Sequence, residues 1–179
     1  MELNKIYLSD ALEGLKSLPS NFVDCIVTSP PYFAQRNYDI DGQIGLEDTP
    51  EEYIQKMCEV FMEAYRVLKP EGTLWLNLGD GYWGGKGKSG VSRSPQEQEK
   101  RFQNGNSINK AYHQFGGGMN TTRSVDKKHP FLKAKDMIGM PWRIAFKLQR
   151  LGWWLRQDII WHKPNPMPES VKDRCTKSH

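Results

Sequence analysis

The chain has 179 residues, of which 37% are hydrophobic and 26% are charged, with a formal net charge of +4. This length allows one domain, or one domain with a large insertion, and the composition excludes a fully disordered chain. No apolar run approaches the ~20 residues of a membrane helix, and the N-terminus lacks the order of a signal peptide. We therefore expect a cytoplasmic protein that does not enter a membrane. The three cysteines and four histidines show no paired spacing, which predicts reduced thiols and no metal site.

The charge is unevenly distributed along the chain. Residues 1–83 hold 6 Lys and Arg against 14 Asp and Glu, whereas residues 84–135 hold 11 against 3 and residues 136–179 hold 8 against 4. Residues 84–135 also contain 8 of the 16 glycines and little apolar periodicity. This region is predicted to be a basic, glycine-rich insertion in loop form.

Outside the insertion, short β-type runs alternate with helical patterns, which is the order of a parallel α/β sheet. The predicted strands are residues 5–8, 22–28, 73–78 and 153–161. The predicted helices begin near residues 10, 50 and 141. The centre of the second strand, residues 25–27, is continuously apolar, which predicts a strand covered on both faces.

Two helix starts carry recognisable capping signals. Thr49 and Glu52 have the spacing of a capping box, and Pro50 occupies the first helical position between them. Asp10 precedes Glu13 by three residues, which predicts a helix N-cap at Asp10.

In open α/β sheets, ligands bind beyond the carboxyl ends of the strands, so chemistry is expected just after residues 8, 28, 78 and 161. Ser29, Pro30, Pro31 and Tyr32 follow the second strand. Consecutive prolines fix two φ angles and remove two N–H donors, which makes this loop stiff. The Ser29 hydroxyl and the neighbouring carbonyl groups are left available as hydrogen-bond acceptors.

Residues 24–32 (DCIVTSPPY) resemble the catalytic strand and loop of the amino-methylating DNA methyltransferases, which modify cytosine N4 or adenine N6. Residues 141–143 (PWR), 151–153 (LGW) and 159–170 (IIWHKPNPMPES) are similar to a later block of the same family. The order of these blocks resembles the permuted subgroup, in which catalysis precedes cofactor binding. The resemblance covers most of the chain outside residues 84–135. It implies a partial Rossmann-like, S-adenosylmethionine-dependent methyltransferase fold, with a mainly parallel sheet and helices on both faces.

The resemblance also implies a chemistry for the loop. An exocyclic amine is a poor nucleophile because its lone pair is conjugated into the ring, and acceptors near its hydrogens favour a pyramidal, reactive nitrogen. Ser29 and the Pro30 carbonyl would be these acceptors, with Pro31 stiffening the loop. Tyr32 would stack on a base flipped out of double-stranded DNA. Serine before the prolines resembles the cytosine-N4 pattern, and adenine N6 is the alternative.

Other residues have weaker claims. Asp10 resembles a cofactor-contacting carboxylate, with the helix N-cap as the alternative, and Asp80 is either a base or cofactor contact or a turn aspartate. Trp161 and Lys163 follow the last predicted strand and are candidates for the base pocket, with a core position as the alternative for Trp161. The basic insertion at residues 84–135, which includes His129, is expected to follow DNA phosphates unless it is only a solvated loop.

The resemblance is incomplete. The family's Phe-x-Gly-x-Gly segment, which binds S-adenosylmethionine, occurs nowhere in the chain. We therefore expect residues 1–179 to form the catalytic part of a methyltransferase whose cofactor-binding C-terminal part is absent. A truncated sequence, a bacterial or phage enzyme completed by a second polypeptide in trans, and a noncatalytic DNA-binding remnant are the alternatives.

Overall fold

The computed structural model describes residues 4–84 and 128–165. The described elements, in chain order, are α1 (Ala11–Lys16), β1 (Val23–Thr28), α2 (Pro50–Val67), β2 (Leu68–Leu76) and α3 (Met140–Arg150). The predicted α/β class with a parallel sheet is confirmed.

The sheet consists of β1 and β2, which pair in parallel and are connected through α2. Cys25 lies opposite Thr73, and Thr28 lies opposite Leu76, with a register irregularity before Cys25. The N–H of Asn77 donates to the Thr28 carbonyl at 2.9 Å, which extends the pairing beyond β2. A parallel pair needs a long crossover, and the 18-residue α2 supplies it.

One face of the sheet packs against the hydrophobic core. Ile26 and Leu74 on this face contact a cluster formed mainly by α2 and α3. The buried members of that cluster are Phe33, Tyr53, Met57, Cys58, Phe61, Ala64, Trp83, Ile138, Met140, Ile144 and Leu148. The core therefore lies between the sheet and these two helices.

The opposite face of the sheet is exposed in the described part of the chain. We call it the open face, and it consists of Cys25, Val27, Thr73 and Trp75. Val27 is 77% exposed and Trp75 is 53% exposed. The apolar run at residues 25–27 predicted a strand that is covered on both faces. The described residues cover only the face that carries Ile26.

The capping box of α2 is confirmed. The Thr49 hydroxyl accepts from the Glu52 N–H, and the Glu52 carboxylate accepts from the Thr49 N–H, each at 3.2 Å. The helix ends at Val67 and β2 begins at once, although the sequence predicted a strand start at residue 73. The strand starts earlier because Leu68 is buried and pairs with Val23, so the hydrogen-bonded pairing of the sheet begins at that residue.

Two predicted strands are not strands in the described chain. Residues 5–8 and 153–161 have no regular structure, and the side chains of Ile6 and Leu8 are fully exposed. A β-type run becomes a strand only when a neighbouring strand completes its hydrogen bonds. The described residues offer these two segments no such neighbour, so the predictions were wrong here.

The helices are amphipathic. In α3, Ile144 and Leu148 are buried, whereas Phe146 on the other side of the helix is 53% exposed. None of the helices within residues 4–84 and 128–165 is both long and apolar enough to cross a membrane.

Candidate active site

An open cavity lies at the carboxyl end of β1, where the strand-end rule predicts chemistry. Its volume is about 330 Å³, within the ~300–1,000 Å³ typical of small-molecule sites. Its lining residues are Ser29, Pro30, Pro31, Tyr32, Gln35, Arg36 and Tyr38. The four predicted loop residues therefore share one cavity.

Helix α2 fixes the loop from behind. The hydroxyl of Tyr53 donates to the Pro31 carbonyl at 2.8 Å, and Tyr53 is fully buried. Burial raises the pKa of the Tyr53 phenol far above its ordinary value, with further contributions from Glu47 and Tyr32, so the hydroxyl keeps its proton. The Phe33 ring packs against the Tyr53 ring with a centroid distance of 5.6 Å. The loop is thus held by a hydrogen bond and by the core.

Gly45 supports the loop from a second side. A Cβ at this position would lie 3.1 Å from the Tyr32 carbonyl oxygen and 3.3 Å from the Pro31 Cβ, and the backbone has a φ of +104°. Both the close approach and the positive φ favour glycine. The Gly45 carbonyl accepts from the Ala34 N–H at 2.7 Å, which ties the two segments together.

A small polar cluster joins the two strand ends. The Ser29 Oγ lies 3.3 Å from the Tyr32 hydroxyl, which donates to the Asn77 Oδ1 at 3.3 Å. Either hydroxyl can donate in the Ser29–Tyr32 contact. A serine hydroxyl has two lone pairs, so the Ser29 Oγ can accept a hydrogen bond from a ligand in the cavity.

Gly79 allows Tyr32 to take this position. A Cβ at residue 79 would lie 2.7 Å from the Tyr32 Cε2 and 2.8 Å from its Cδ2, distances that real Cβ atoms essentially never show. Any side chain at residue 79 would therefore displace the ring or the backbone.

Sequence reasoning missed Asn77, Gly79, Tyr53 and Gly45. Asn77 directly follows β2, so the strand-end rule applies to it, but the strand was predicted to continue to residue 78. Tyr53 carried no comparable signal, because its contact with Pro31 joins residues 22 positions apart.

Asp80 lies in the loop after β2 and links that loop to α3. Its carboxylate accepts from the N–H groups of Gly81 at 2.8 Å, Gly139 at 2.9 Å and Met140 at 3.1 Å. Its carbonyl oxygen lies 3.5 Å from the Gln35 Nε2 at the cavity. These contacts make Asp80 a structural cap of the α3 N-terminus. A contact with base or cofactor stays a prediction.

The lining of this cavity does not fit the whole of S-adenosylmethionine. This molecule carries a sulfonium and an ammonium group, yet no carboxylate lines the cavity. Asp10, the residue predicted to contact the cofactor, uses its Oδ1 to accept from the N–H groups of Leu12 at 2.9 Å and Glu13 at 3.2 Å. It is the N-cap of α1, and its role toward the cofactor stays a prediction.

The remaining candidates lie away from the cavity lining. Trp161 is 72% exposed and Lys163 is also exposed, and neither lines the cavity.

Of the basic insertion, residues 85–127 lie outside the described residues. The His129 side chain is 3% exposed, bonds to Glu51 at 3.1 Å and packs against Trp83, so its ring is part of the fold rather than free to follow phosphates. In the two described ranges, no group of three or more His, Cys, Asp or Glu residues is placed to hold a metal ion.

Comparison with known proteins gives the same family as the loop motif. A DNA methylase family model matches residues 23–179. The Type II methyltransferase M.Cfr9I of Citrobacter freundii is 44% identical over 100% of this chain and 53% of its own length. The Type II methyltransferase M.XycI of Xanthomonas campestris pv. cyanopsidis is 44% identical over 97% of this chain and 51% of its own length. The Type II methyltransferase M.SmaI of Serratia marcescens is 43% identical over 98% of this chain and 53% of its own length.

The chain spans about half the length of these curated relatives. The family match nevertheless begins at the first residue of β1 and includes the whole cavity lining. The resemblance carried by the loop after β1 is confirmed, and the chain belongs to the DNA methylase family of N6 and N4 methyltransferases.

Proposed function

We propose that the enzyme completed around this chain transfers a methyl group from S-adenosylmethionine to the N4 amine of cytosine in double-stranded DNA. Family membership supports the reaction class. The observation that carries the proposal is the Ser29 Oγ at the end of β1, which lines the cavity and lies 3.3 Å from the Tyr32 hydroxyl. An acceptor in this position suits an amine with two hydrogens to donate.

The loop would activate the amine by accepting its hydrogens. The Ser29 Oγ would accept a hydrogen bond from one amine hydrogen, and the Pro30 carbonyl would accept one from the other. The Pro31 carbonyl already accepts a hydrogen bond from the Tyr53 hydroxyl. Acceptors at both hydrogens favour a pyramidal nitrogen with a free lone pair. S-adenosylmethionine supplies the methyl group on a sulfonium sulfur. The nitrogen–methyl bond would form as the sulfur–methyl bond breaks, a neutral thioether would leave, and the amine would release one proton, so that the product carries N–CH₃ in place of one N–H.

The cavity suits a base that has left the duplex. The rings of Tyr32 and Tyr38 both line it and offer surfaces for stacking. Arg36 lies at the same opening and supplies a positive charge for a backbone phosphate. Double-stranded DNA is therefore the proposed partner.

Adenine N6 is the second candidate, because the matching family model covers both amines. The same two acceptors would serve an adenine amine equally well. The serine before the two prolines favours cytosine by its resemblance to the cytosine-N4 pattern.

We further propose that residues 1–179 are the catalytic part of the enzyme. The cofactor site would come from the part of the relatives outside the match, on the same polypeptide or on a second one in trans. This follows from the half-length match and from the lack of a carboxylate in the cavity. DNA and S-adenosylmethionine meet in the bacterial cytoplasm, where we place the protein. The half-length match also favours the competing hypothesis of a noncatalytic DNA-binding remnant.

The test supplies the missing part. The full chain is co-expressed with the part of the Citrobacter freundii relative that lies outside the match. The purified pair is incubated with labelled S-adenosylmethionine and duplex DNA, and the methylated nucleosides are identified by mass spectrometry. We expect N4-methylcytosine. N6-methyladenine would replace the first candidate by the second, and DNA binding without any methylation would favour the remnant.

Ser29→Ala tests the assigned residue. Loss of the acceptor is expected to lower turnover by at least about 100-fold, with DNA affinity unchanged. Ser20→Ala is the matched control, because this serine bonds to Arg66 rather than lining the cavity. Unchanged turnover in Ser29→Ala would contradict the proposed role.

A further inference from the structure

Glu47 lies behind the loop after β1, and no step of the proposed reaction uses it. Among the residues that the structure describes, it is the one buried charged residue, and its side chain is 2% exposed. A carboxylate that leaves water loses solvation free energy, which contacts with its oxygens must offset. The partners of these two oxygens therefore show what the buried charge provides.

One carboxylate oxygen holds the backbone that supports the loop. The Glu47 Oε2 accepts a hydrogen bond from the Gly45 N–H at 2.9 Å. The Gly45 carbonyl accepts from the Ala34 N–H at 2.7 Å. A Cβ on Gly45 would lie 3.1 Å from the Tyr32 carbonyl oxygen, so the two backbones are also in close contact. Two successive hydrogen bonds thus connect the carboxylate to the loop.

The hydrogen bond to Gly45 fixes a backbone that has few other restraints. Gly45 has a φ of +104°, and a glycine has more backbone conformations open to it than any other residue. Residues 41–49 form no helix or strand. A hydrogen bond to a carboxylate is about twice as strong as one between neutral groups. Glu47 therefore selects one conformation of Gly45 and, through it, the position of the loop.

The other carboxylate oxygen has a separate partner. The Glu47 Oε1 lies 3.2 Å from the Lys56 Nζ, and the Lys56 side chain is 47% exposed. The described residues give this oxygen no hydrogen bond, so Lys56 contributes charge rather than a directed contact. The carboxylate also lies within electrostatic reach of the other support of the loop, since burial and then the charge of Glu47 raise the pKa of the Tyr53 phenol.

From these contacts we propose that Glu47 is a positioning residue for the methyl transfer. Through Gly45 it sets the backbone of the loop, and thereby the places of the Ser29 Oγ and the Tyr32 ring, without touching the base or the cofactor. A misplacement of about 1 Å at a reacting group can lower a rate about 100-fold. The assignment rests on the proposed reaction, and one of its tests needs no methylation.

Two conservative variants separate the hydrogen bond from the charge. Glu47→Asp keeps the charge but shortens the side chain by one methylene, and it is expected to lower the single-turnover methylation rate of the completed enzyme at least about tenfold. Glu47→Gln keeps an acceptor for the Gly45 N–H and is expected to stay within about threefold of the wild type. The Kd for DNA should be unchanged in both. Equal rates in the two variants, or a lower rate in Glu47→Gln, would overturn the assignment.

Lys56→Met is the matched control for stability. It removes the partner of the Glu47 Oε1 and leaves the hydrogen bond to Gly45 in place. We expect a lower midpoint of urea denaturation with an unchanged methylation rate. A rate that falls as far as in Glu47→Asp would mean that the rate follows stability alone, and it would overturn the assignment.

Hydrogen exchange in the full chain alone separates this assignment from the proposed reaction. In Glu47→Asp the N–H groups of Gly45 and Ala34 are expected to exchange at least about tenfold faster than in the wild type. The N–H of Asn77, which donates to the Thr28 carbonyl, is the internal control. Faster exchange together with a completed enzyme that does not methylate DNA would support the role of Glu47 in holding the loop and contradict the proposed reaction. Methylation with unchanged exchange at both groups would overturn the assignment and leave the proposed reaction standing.

Discussion

The loop after β1 and the open face of the sheet use the same two strands but differ in how they are supported. Residues 29–34 are held by Tyr53, by Gly45 and by the buried ring of Phe33. On the open face, Val27 and Trp75 are cross-strand partners of each other, and both side chains are more than half exposed. The chain therefore packs the loop after β1 against its core and leaves the other side of the same sheet exposed in its described part.

This difference shows that the described contacts of the loop come from this chain's own elements. Each contact that fixes the loop comes from α2, from residues 43–47 or from the end of β2, all within the described chain. Substitutions on the core side and on the open face therefore should have different effects on stability.

Removing a core side chain should cost far more stability than removing one from the open face. Ile144→Ala is expected to lower the free energy of unfolding by about 3 kcal/mol, because Ile144 is 0% exposed and a cavity would remain. Val27→Ala is the control and should change it by less than about 0.5 kcal/mol. Urea denaturation of the full chain measures both. Similar losses would show that the open face already stabilises the isolated chain.

A single methyl group should disturb the cavity without unfolding the chain. Gly79→Ala places a Cβ 2.7 Å from the Tyr32 ring and is expected to lower turnover of the completed enzyme about tenfold by displacing it. Gly81→Ala is the matched control, since its Cβ would meet the Ile138 Cδ1 at an ordinary 3.6 Å. Steady-state methylation kinetics distinguish the two. Equal rates would mean that the position of Tyr32 does not matter to the reaction.

Removing the hydroxyl behind the loop should have a moderate effect. Tyr53→Phe takes away the 2.8 Å hydrogen bond to the Pro31 carbonyl and is expected to lower the free energy of unfolding by about 1 kcal/mol. Tyr65→Phe on the same helix is the control, because Tyr65 is 49% exposed and its ring packs against Trp153. A Tyr53→Phe protein as stable as the control would argue against α2 as the support of the loop.

The smallest expected effect is a pH dependence at the start of α2. Burial raises the pKa of Glu51, but the His129 hydrogen bond and the charges of His129 and Arg143 outweigh it, so the pKa lies below its ordinary 4.5. The folded carboxyl thus releases its proton more readily than the unfolded one. The contribution of Glu51 to the free energy of unfolding is therefore fully present above the pKa of the unfolded state. It is lost as the pH falls through the pKa of the folded state.

Glu51→Gln measures that contribution. Because the Glu51 side chain is 49% exposed, water screens its ion pairs, and we expect a loss of about 0.5 kcal/mol near neutral pH. The difference from wild type should shrink below the ordinary pKa of 4.5, as followed by urea denaturation. Glu59→Gln, also on α2, is the control. A difference that grows on acidification would contradict the direction of the shift.

Part of the fold and site was predictable because the signals are local. The Thr49 capping box, the Asp10 N-cap and the stiff loop from Ser29 to Tyr32 depend on residues within three positions of one another, and the structure has each element at that place. The strands at residues 5–8 and 153–161 were predicted from equally local patterns and were wrong. A strand depends on a partner that local sequence does not reveal.

The α/β class, the family and the proline-stiffened loop after β1 were predictable from the sequence, since periodicity, capping and the proline pair act over a few residues. The surroundings of that loop depend on tertiary contacts: the Tyr53 hydroxyl behind it, Asn77 beside Tyr32, and Gly79 beneath the ring. The tertiary structure also decided which face of the sheet is covered. These features arise from contacts between residues 22 or more positions apart, or between separate elements, and packing of the core brings those residues together.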